Sequence, residues 1–395
     1  MSKTLRSPKD RSTGSFWRSH RVSILVLAAL AVIFLLAALW AAPEKEIMPQ
    51  SDSYAEYETA RVTQVLADDT WSDPDADGAF RGEQLLLVEV KSGQYRGQTL
   101  QVDNFSGPLY GIPVREGDRV VVLISTEPDG SYRGSIYEVD RTLPLAVIVA
   151  VFLLIAVAVG GRTGAKSLAG LLITLACLFW FLIPALMKGA PTLLTVFLTC
   201  AFIAVVSLTI LGGIQRKTVC AMLGSVAGVG TALLFGLAAQ ALCHVNGLRT
   251  ADVEPLLQLR QTGVPIGLSG LLVAGIVIST LGAVMDVTMG ITSALTEVHA
   301  ADPKMDGRAL FRSGMNIGRD MVGTMTNTLI LAFLGSSLVL ILYLYTMGLA
   351  PRQLLSSAFL SVEVISSASS TVGVMLTIPI TALITACALA GKPHN

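Results

Sequence analysis

The stretch LPLAVIVAVFLLIAVAVG, residues 143–160, contains no charged, amide or hydroxyl side chain. A helix needs roughly 20 predominantly apolar residues to cross the hydrocarbon core of a bilayer, and this stretch is typical of such a helix. Seven further stretches are also predominantly apolar and of similar length. The sequence therefore predicts a polytopic α-helical membrane protein with about eight transmembrane helices. The other seven stretches are residues 22–42, 168–187, 192–211, 218–243, 265–285, 322–345 and 363–389.

The composition agrees with this class. Of the 395 residues, 52% are hydrophobic and 14% are charged, whereas soluble domains carry about 25% charged residues. Basic and acidic residues number 28 each, but 19 of the acids lie between Glu44 and Asp140. The zero net charge therefore combines an acidic, water-exposed segment with basic membrane loops, and no nucleic-acid partner is expected.

The basic residues predict the orientation, because short loops rich in Lys and Arg stay cytoplasmic. The tail at 1–21 contains six basic residues, and alternation from there places 15 basic residues in cytoplasmic segments against 4 in short outer loops. We therefore expect both termini to be cytoplasmic, with a cytoplasmic loop at 286–320. The span at 22–42 is then an anchor helix. A cleaved signal peptide is the alternative, but this apolar run is longer than the 7 to 15 residues that such peptides use.

The same topology divides the chain into two main parts. Residues 43–142 form an extracytoplasmic domain, and residues 143–391 form a seven-helix transmembrane domain. Five short stretches of the extracytoplasmic part alternate as strands do and are separated by Gly- and Pro-containing turns, which predicts a small all-β barrel or sandwich. These stretches are residues 57–66, 83–92, 98–103, 118–124 and 131–139.

One acidic loop of this domain resembles the start of a calcium-binding loop. Asp73, Asp75 and Asp77 are followed by a glycine, but the closing position, which needs a bidentate Glu, is occupied by Gln84. A solvated acidic loop is the alternative to this weak calcium site. The chain has no zinc-type spacing, Walker A loop, HExxH or GxSxG motif, so we expect neither enzyme activity nor a cofactor.

Two glycines of the fifth span, Gly224 and Gly228, are spaced four residues apart. Small residues at this spacing form a helix face that lets a neighbouring transmembrane helix approach closely. We therefore interpret them as packing residues.

Polar residues recur at helical spacing near the ends of the sixth and seventh spans. Asp286, Gly290, Ser293 and Glu297 share one helix face, at offsets of 0, 4, 7 and 11. A second face repeats these offsets, and a third polar face begins at Glu363 in the eighth span. The second face consists of Asn316, Asp320, Gly323 and Asn327, with Arg319 beside it.

Charged groups inside a membrane are costly and usually functional. We expect Asp286 to meet Arg319 across an antiparallel helix pair, and the three polar faces to line a path for protons or ions between the last three helices. The alternative is that Asp286, Glu297, Arg319 and Asp320 lie in the headgroup zone as topology anchors. Glu363 has the same alternative, and Asn327 has the alternative of a hydrogen bond that joins two helices.

Two motifs carry a family resemblance. GAVMDVTMGITSALTE at 282–297 and SGMNIGRDMVGTMTNTLILAFLG at 313–335 resemble the YibE/YibF-like membrane proteins of bacteria. The resemblance implies a bacterial plasma-membrane protein with an N-terminal anchor, a β-rich domain and several helices. A weaker likeness is to proton-driven export accessories related to resistance-nodulation-division permeases. In these proteins a helix that contains an Asp is followed by an Arg, which lies before a Thr-rich helix.

Two functions follow from these patterns. The first is a transporter-like permease or export accessory with a polar, proton- or ion-coupled path. The second is a non-transporting scaffold or assembly factor that binds membrane or exported proteins through its ectodomain and cytoplasmic loop. In both cases the lipid bilayer is the surrounding partner.

Overall fold

The computed structural model of the chain describes residues 10–42, 55–126, 132–246, 254–261 and 263–390. It contains two compact units. One is Met48–Ala158, and the other combines Met1–Ile47 with Val159–Asn395.

The first unit contains a small β-barrel, followed by the first part of a helix that begins at Thr142. Strand β1 pairs with both β5 and β3, so the order β1-β5-β6-β4-β3 closes on β1, while β2 pairs only with β3 at the edge. All pairings are antiparallel except β4 with β6. The predicted small all-β domain is confirmed. Its strands are β1 Ala55–Asp68, β2 Trp71–Asp73, β3 Ala79–Val90, β4 Thr99–Ser106, β5 Arg119–Thr126 and β6 Tyr132–Val139.

Alternation of apolar residues explains why these strands form a barrel. Leu86, Val88 and Val90 of β3 are fully buried, as expected where every second side chain of a strand points to one face. Gln84 continues this inward row. Its Oε1 accepts hydrogen bonds from the Val114 backbone N–H and from Asn104 Nδ2, each at 2.9 Å. The Gln84 amide oxygen is therefore buried but paired.

The helices begin with α1, and a short π-helical turn at Leu178–Leu182 separates α2 from α3. Pro184 follows this turn, and because proline has no N–H it cannot continue the regular ladder. The described helices are α1 Asp10–Ala41, α2 Thr142–Cys177, α3 Ile183–Met187, α4 Thr192–Gly212, α5 Arg216–Leu242, α6 Glu254–Gln261, α7 Leu271–Ala301, α8 Gly307–Ser336, α9 Leu338–Thr346, α10 Pro351–Leu355 and α11 Ala358–Ala390.

Six of the described helical segments are long and apolar enough to cross a membrane, and α8 with α9 forms a seventh if this pair, bent by 60°, counts as one span. The segment Thr142–Met187 counts once although it has 46 residues, about twice the roughly 20 that a span needs. Gly161 interrupts its helix with a φ of 54°, between the two spans predicted there. The total of eight spans stays a prediction.

The predicted span ends at 285 and 322 lie inside longer helices. Helix α7 continues to Ala301 and α8 begins at Gly307, as the helical spacing of the polar residues at 286–297 and 316–327 indicates. The predicted loop 286–320 is therefore helical except for five residues, 302–306. The apolar stripe of α7 explains the extension, because Val287, Ile291 and Leu295 remain fully buried and continue the packed face beyond the point where the charged residues begin.

Helices α5, α7 and α11 pack together at the centre of the helical unit. Gly228 of α5 lies against Thr377 of α11 and Val284 of α7, and Gly224 lies against Thr381 and Thr288 of the same two helices. The two glycines thus occupy a three-helix contact. Thr377 Oγ1 in this contact donates to the Gly373 carbonyl of its own helix at 2.7 Å, whereas Thr381 Oγ1 is buried without a hydrogen-bond partner.

Candidate functional site

Asp286 lies at the midpoint of α7, with fifteen residues of the helix before it and fifteen after it. From Leu271 to Thr296 it is the one ionisable residue. Val284 and Val287 beside it point into the bundle core. Asp286 is itself exposed, because it lies on a different face of the helix from these core residues.

This face of α7 borders a cavity of about 620 Å³ between α2, α4, the start of α5 and α7. Gly170 and Gly282 contribute no side chain to its walls, and a Cβ at Gly282 would meet nothing within 4 Å. The cavity is within the range of about 300–1,000 Å³ that is typical of ligand sites. Its polar lining side chains are Thr163, Ser167, Thr174, Cys200, Ser207, Lys217 and Asp286.

The charged groups of this cavity are not neutralised by neighbours. Asp286 has no hydrogen bond or ion pair with any residue that the structure describes, and Lys217 on another wall forms none either; the ion pairs found in the described ranges all lie in the barrel unit. Ser207 Oγ is buried and lacks a hydrogen-bond partner. Buried polar atoms are nearly always paired, so this lining is suited to a polar or charged occupant.

The expected pairing of Asp286 with Arg319 is wrong. Asp286 faces α2 and α4, whereas Arg319 is exposed on α8 and forms no ion pair with described residues. The rotation of α8 explains the difference. Gly314 and Gly318 are its buried contacts with α11, and Arg319, five and one positions after them, points about 140° and 100° away from these contacts.

The polar face predicted on α8 is consequently turned outward. Asn316, Asp320 and Asn327 are all exposed, so this face does not meet the polar face of α7. Glu297 is also exposed, near the C-terminal end of α7. The three predicted faces therefore do not converge into a path between the last three helices.

Glu363 occupies a separate place. It is half-buried, and its Oε2 accepts a hydrogen bond of 2.5 Å from Ser337 Oγ. Ser337 is the residue at which α8 breaks into α9. The predicted seventh span at 322–345 is therefore not one straight helix.

The weak calcium candidate has a different arrangement. Arg81 Nε donates to Asp73 Oδ2, and this hydrogen bond holds the pKa of the Asp73 carboxyl below its usual range. Asp73 Oδ1 accepts from the Asp75 backbone N–H at 3.0 Å. Gln84, at the closing position, is turned into the barrel core. Within the described ranges, no three His, Cys, Asp or Glu side chains are grouped as metal ligands would be.

Sequence reasoning missed Lys217, Ser207 and Ser337. In the sequence, Lys217 is one of the 15 cytoplasmic basic residues that predict the orientation; in the structure it is in the first turn of α5 and borders the cavity. Ser207 is one of several hydroxyl residues in α4, and hydroxyls in membrane helices commonly bond to their own backbone. Its lack of a partner is visible only once α2 and α4 are packed.

The comparisons with known proteins give one match. A family model described as YibE/F-like protein matches residues 148–391. No curated protein and no solved structure matches the chain. The matched residues include the cavity walls at α2, α4, α5 and α7.

Proposed function

The chain belongs to the YibE/F-like family, and from this premise we propose that it is a transporter-like membrane protein whose Asp286 binds and releases a proton during transport. The apolar helices fit a membrane protein. The distribution of basic residues supports a bacterial plasma-membrane orientation with both termini in the cytoplasm and the barrel outside.

The unpaired Asp286 in its cavity is the observation that supports this function. An ionisable residue within a membrane-spanning helix typically marks a substrate or ion pathway. Here the carboxyl borders a cavity that is large enough to hold water molecules, and no described residue forms an ion pair with it. A proton is the simplest partner, because protonation removes the charge that the helix face otherwise has to solvate.

Proton flux into proteoliposomes tests this function. Purified full-length protein is reconstituted with a pH-sensitive dye inside, and a pH gradient is imposed. We expect protein-dependent flux in the wild type and its loss in Asp286→Asn, which keeps the shape but not the titratable group. Arg319→Ala is the control, because its side chain is outside the cavity. Equal flux in wild type and Asp286→Asn refutes the proposal.

The outward polar face of α8 favours a second function, that of a scaffold which binds another membrane protein. Asp320 and Asn327 are exposed on α8, which is apolar enough to span a bilayer when taken together with α9. Polar side chains at such a surface are costly in lipid, by about 2.5–3.5 kcal/mol for an Asp at the centre of a span. A partner helix with polar groups relieves this cost. A photoreactive residue at position 327 is then expected to crosslink to protein, and one at the exposed apolar Leu172 to lipid. Lipid adducts at both positions contradict the scaffold function.

A further inference from the structure

A second cavity lies at the break between α8 and α9, where these helices face α11. It has a volume of about 440 Å³, within the range of about 300–1,000 Å³ typical of ligand sites. Its walls are mainly leucine, isoleucine, valine, phenylalanine and methionine side chains. The 60° bend at Ser337 explains why α8 and α9 cannot both follow the straight surface of α11.

Glu363 is the one ionisable residue among the described side chains that line this cleft. One carboxylate oxygen accepts from Ser337 at 2.5 Å, and no described residue forms an ion pair with the group. Thr371, another polar residue of the lining, already donates to the Ser367 carbonyl at 2.7 Å. A carboxylate in apolar surroundings is costly unless a positive charge compensates it. The protein lining supplies none.

The cleft also has an open side. Leu334 and Val364 are 48% and 57% exposed, so an apolar molecule has access to it from a surrounding lipid phase. A zwitterionic phospholipid fits poorly, because its phosphate would meet no Lys or Arg in the lining. An anion fits less well still. The complementary occupant has one positive charge and a large apolar body.

We propose that this cleft binds a lipophilic organic cation, with Glu363 holding the charge and the apolar walls holding the body. Glu363 is the charge partner, and Ser337 positions its carboxylate. This site lies on α8, α9 and α11, apart from the Asp286 cavity, and its occupancy does not depend on transport.

Binding of tetraphenylphosphonium to purified full-length protein in detergent tests the proposal. Tetraphenylborate has the same shape and the opposite charge, so it is the matched control ligand. We expect saturable binding of radiolabelled tetraphenylphosphonium and, in a separate sample, no saturable binding of tetraphenylborate. Glu363→Gln, which keeps a hydrogen-bond acceptor for Ser337, is expected to weaken binding at least tenfold. Glu297→Gln, an exposed carboxyl outside the cleft, is expected to bind like the wild type.

Leu340→Trp provides a second variant that fills the cleft without altering its charge. It is expected to abolish binding while the protein elutes as the wild type does in size-exclusion chromatography. The proposal is overturned if Glu363→Gln binds tetraphenylphosphonium with unchanged affinity, if tetraphenylborate alone binds equally well, or if the wild type shows no saturable binding. If Glu363→Gln does not fold, the Leu340→Trp variant and the comparison of the two ions decide the question. This experiment measures ligand binding and not proton flux, so a negative result leaves the proton-transport proposal unaffected. Likewise, a negative flux experiment leaves the proposed cation site unaffected.

Discussion

Replacing Gly228 with alanine tests whether the close contact of α5, α7 and α11 holds the helical unit together. A Cβ at this position would overlap Thr377 Oγ1 and would lie 3.0 Å from Val284 Cγ1. Gly230, two residues away on the same helix, is the matched control. A Cβ there would meet Phe197 Cε2 at 3.6 Å, which is an ordinary contact.

The expected magnitude follows from two opposing terms. Alanine stabilises a helix interior relative to glycine by about 0.5–1 kcal/mol, and this applies to both positions. Overpacking costs about 1–3 kcal/mol and applies only to Gly228→Ala. We therefore expect Gly230→Ala to be neutral or stabilising. Gly228→Ala should be less stable than Gly230→Ala by about 1–3 kcal/mol.

Thermal unfolding of the purified full-length variants in one detergent measures this difference. Thr377→Ala removes the overlapping hydroxyl, which already bonds within its own helix, so the double variant Gly228→Ala with Thr377→Ala should recover most of the loss. If Gly228→Ala is as stable as Gly230→Ala, or if the double variant shows no recovery, the glycine contact does not support the bundle as described.

Two further predictions concern the barrel. Gln84→Leu leaves the Val114 N–H without its acceptor and removes one of the two acceptors of Asn104 Nδ2, which still donates to the Ile112 carbonyl; the cost is about 1–3 kcal/mol for a buried group left unpaired. The barrel of the full-length protein should then be cleaved faster by protease, whereas the same change at the exposed Gln101 should have little effect. The ion pair of Asp73 with Arg81 keeps the pKa of Asp73 low, so its stabilisation is present above the unfolded pKa of about 3.9 and is lost as the pH falls through the lower folded value. In Arg81→Ala the acid-induced rise in amide exchange at residues 74–78 should begin at a higher pH. An unchanged onset would show that Arg81 does not lower the pKa of the Asp73 carboxyl.

The sequence predicted those features of the fold that depend only on the pattern of residues within a single segment. The apolar stretches and the β-alternation after the first of them depend on local periodicity, so the helices and the small β-domain could be expected. The role of the glycine pair at 224 and 228 was also predictable, because small residues at this spacing indicate which helix face a neighbouring helix can approach.

The rotation of helices about their axes was not predictable in the same way. The polar faces of α7 and α8 have matching offsets, but Gly314 and Gly318 set the rotation of α8 by permitting contact with α11. This contact turns Arg319 outward and leaves Asp286 to face α2 and α4. Lys217 and Ser207 join the cavity through tertiary packing alone, and no pattern within their own segments signals it.

The most direct test of the central claim is an infrared titration of Asp286 in reconstituted full-length protein. Spectra of the wild type and of Asp286→Asn are recorded as the pH is lowered, and their difference isolates this one carboxyl from the other acids. We expect a carboxylic-acid C=O band that develops in the wild type and in Arg319→Ala but is missing from Asp286→Asn. Identical pH-dependent spectra for wild type and Asp286→Asn would contradict the claim that Asp286 binds a proton in this cavity.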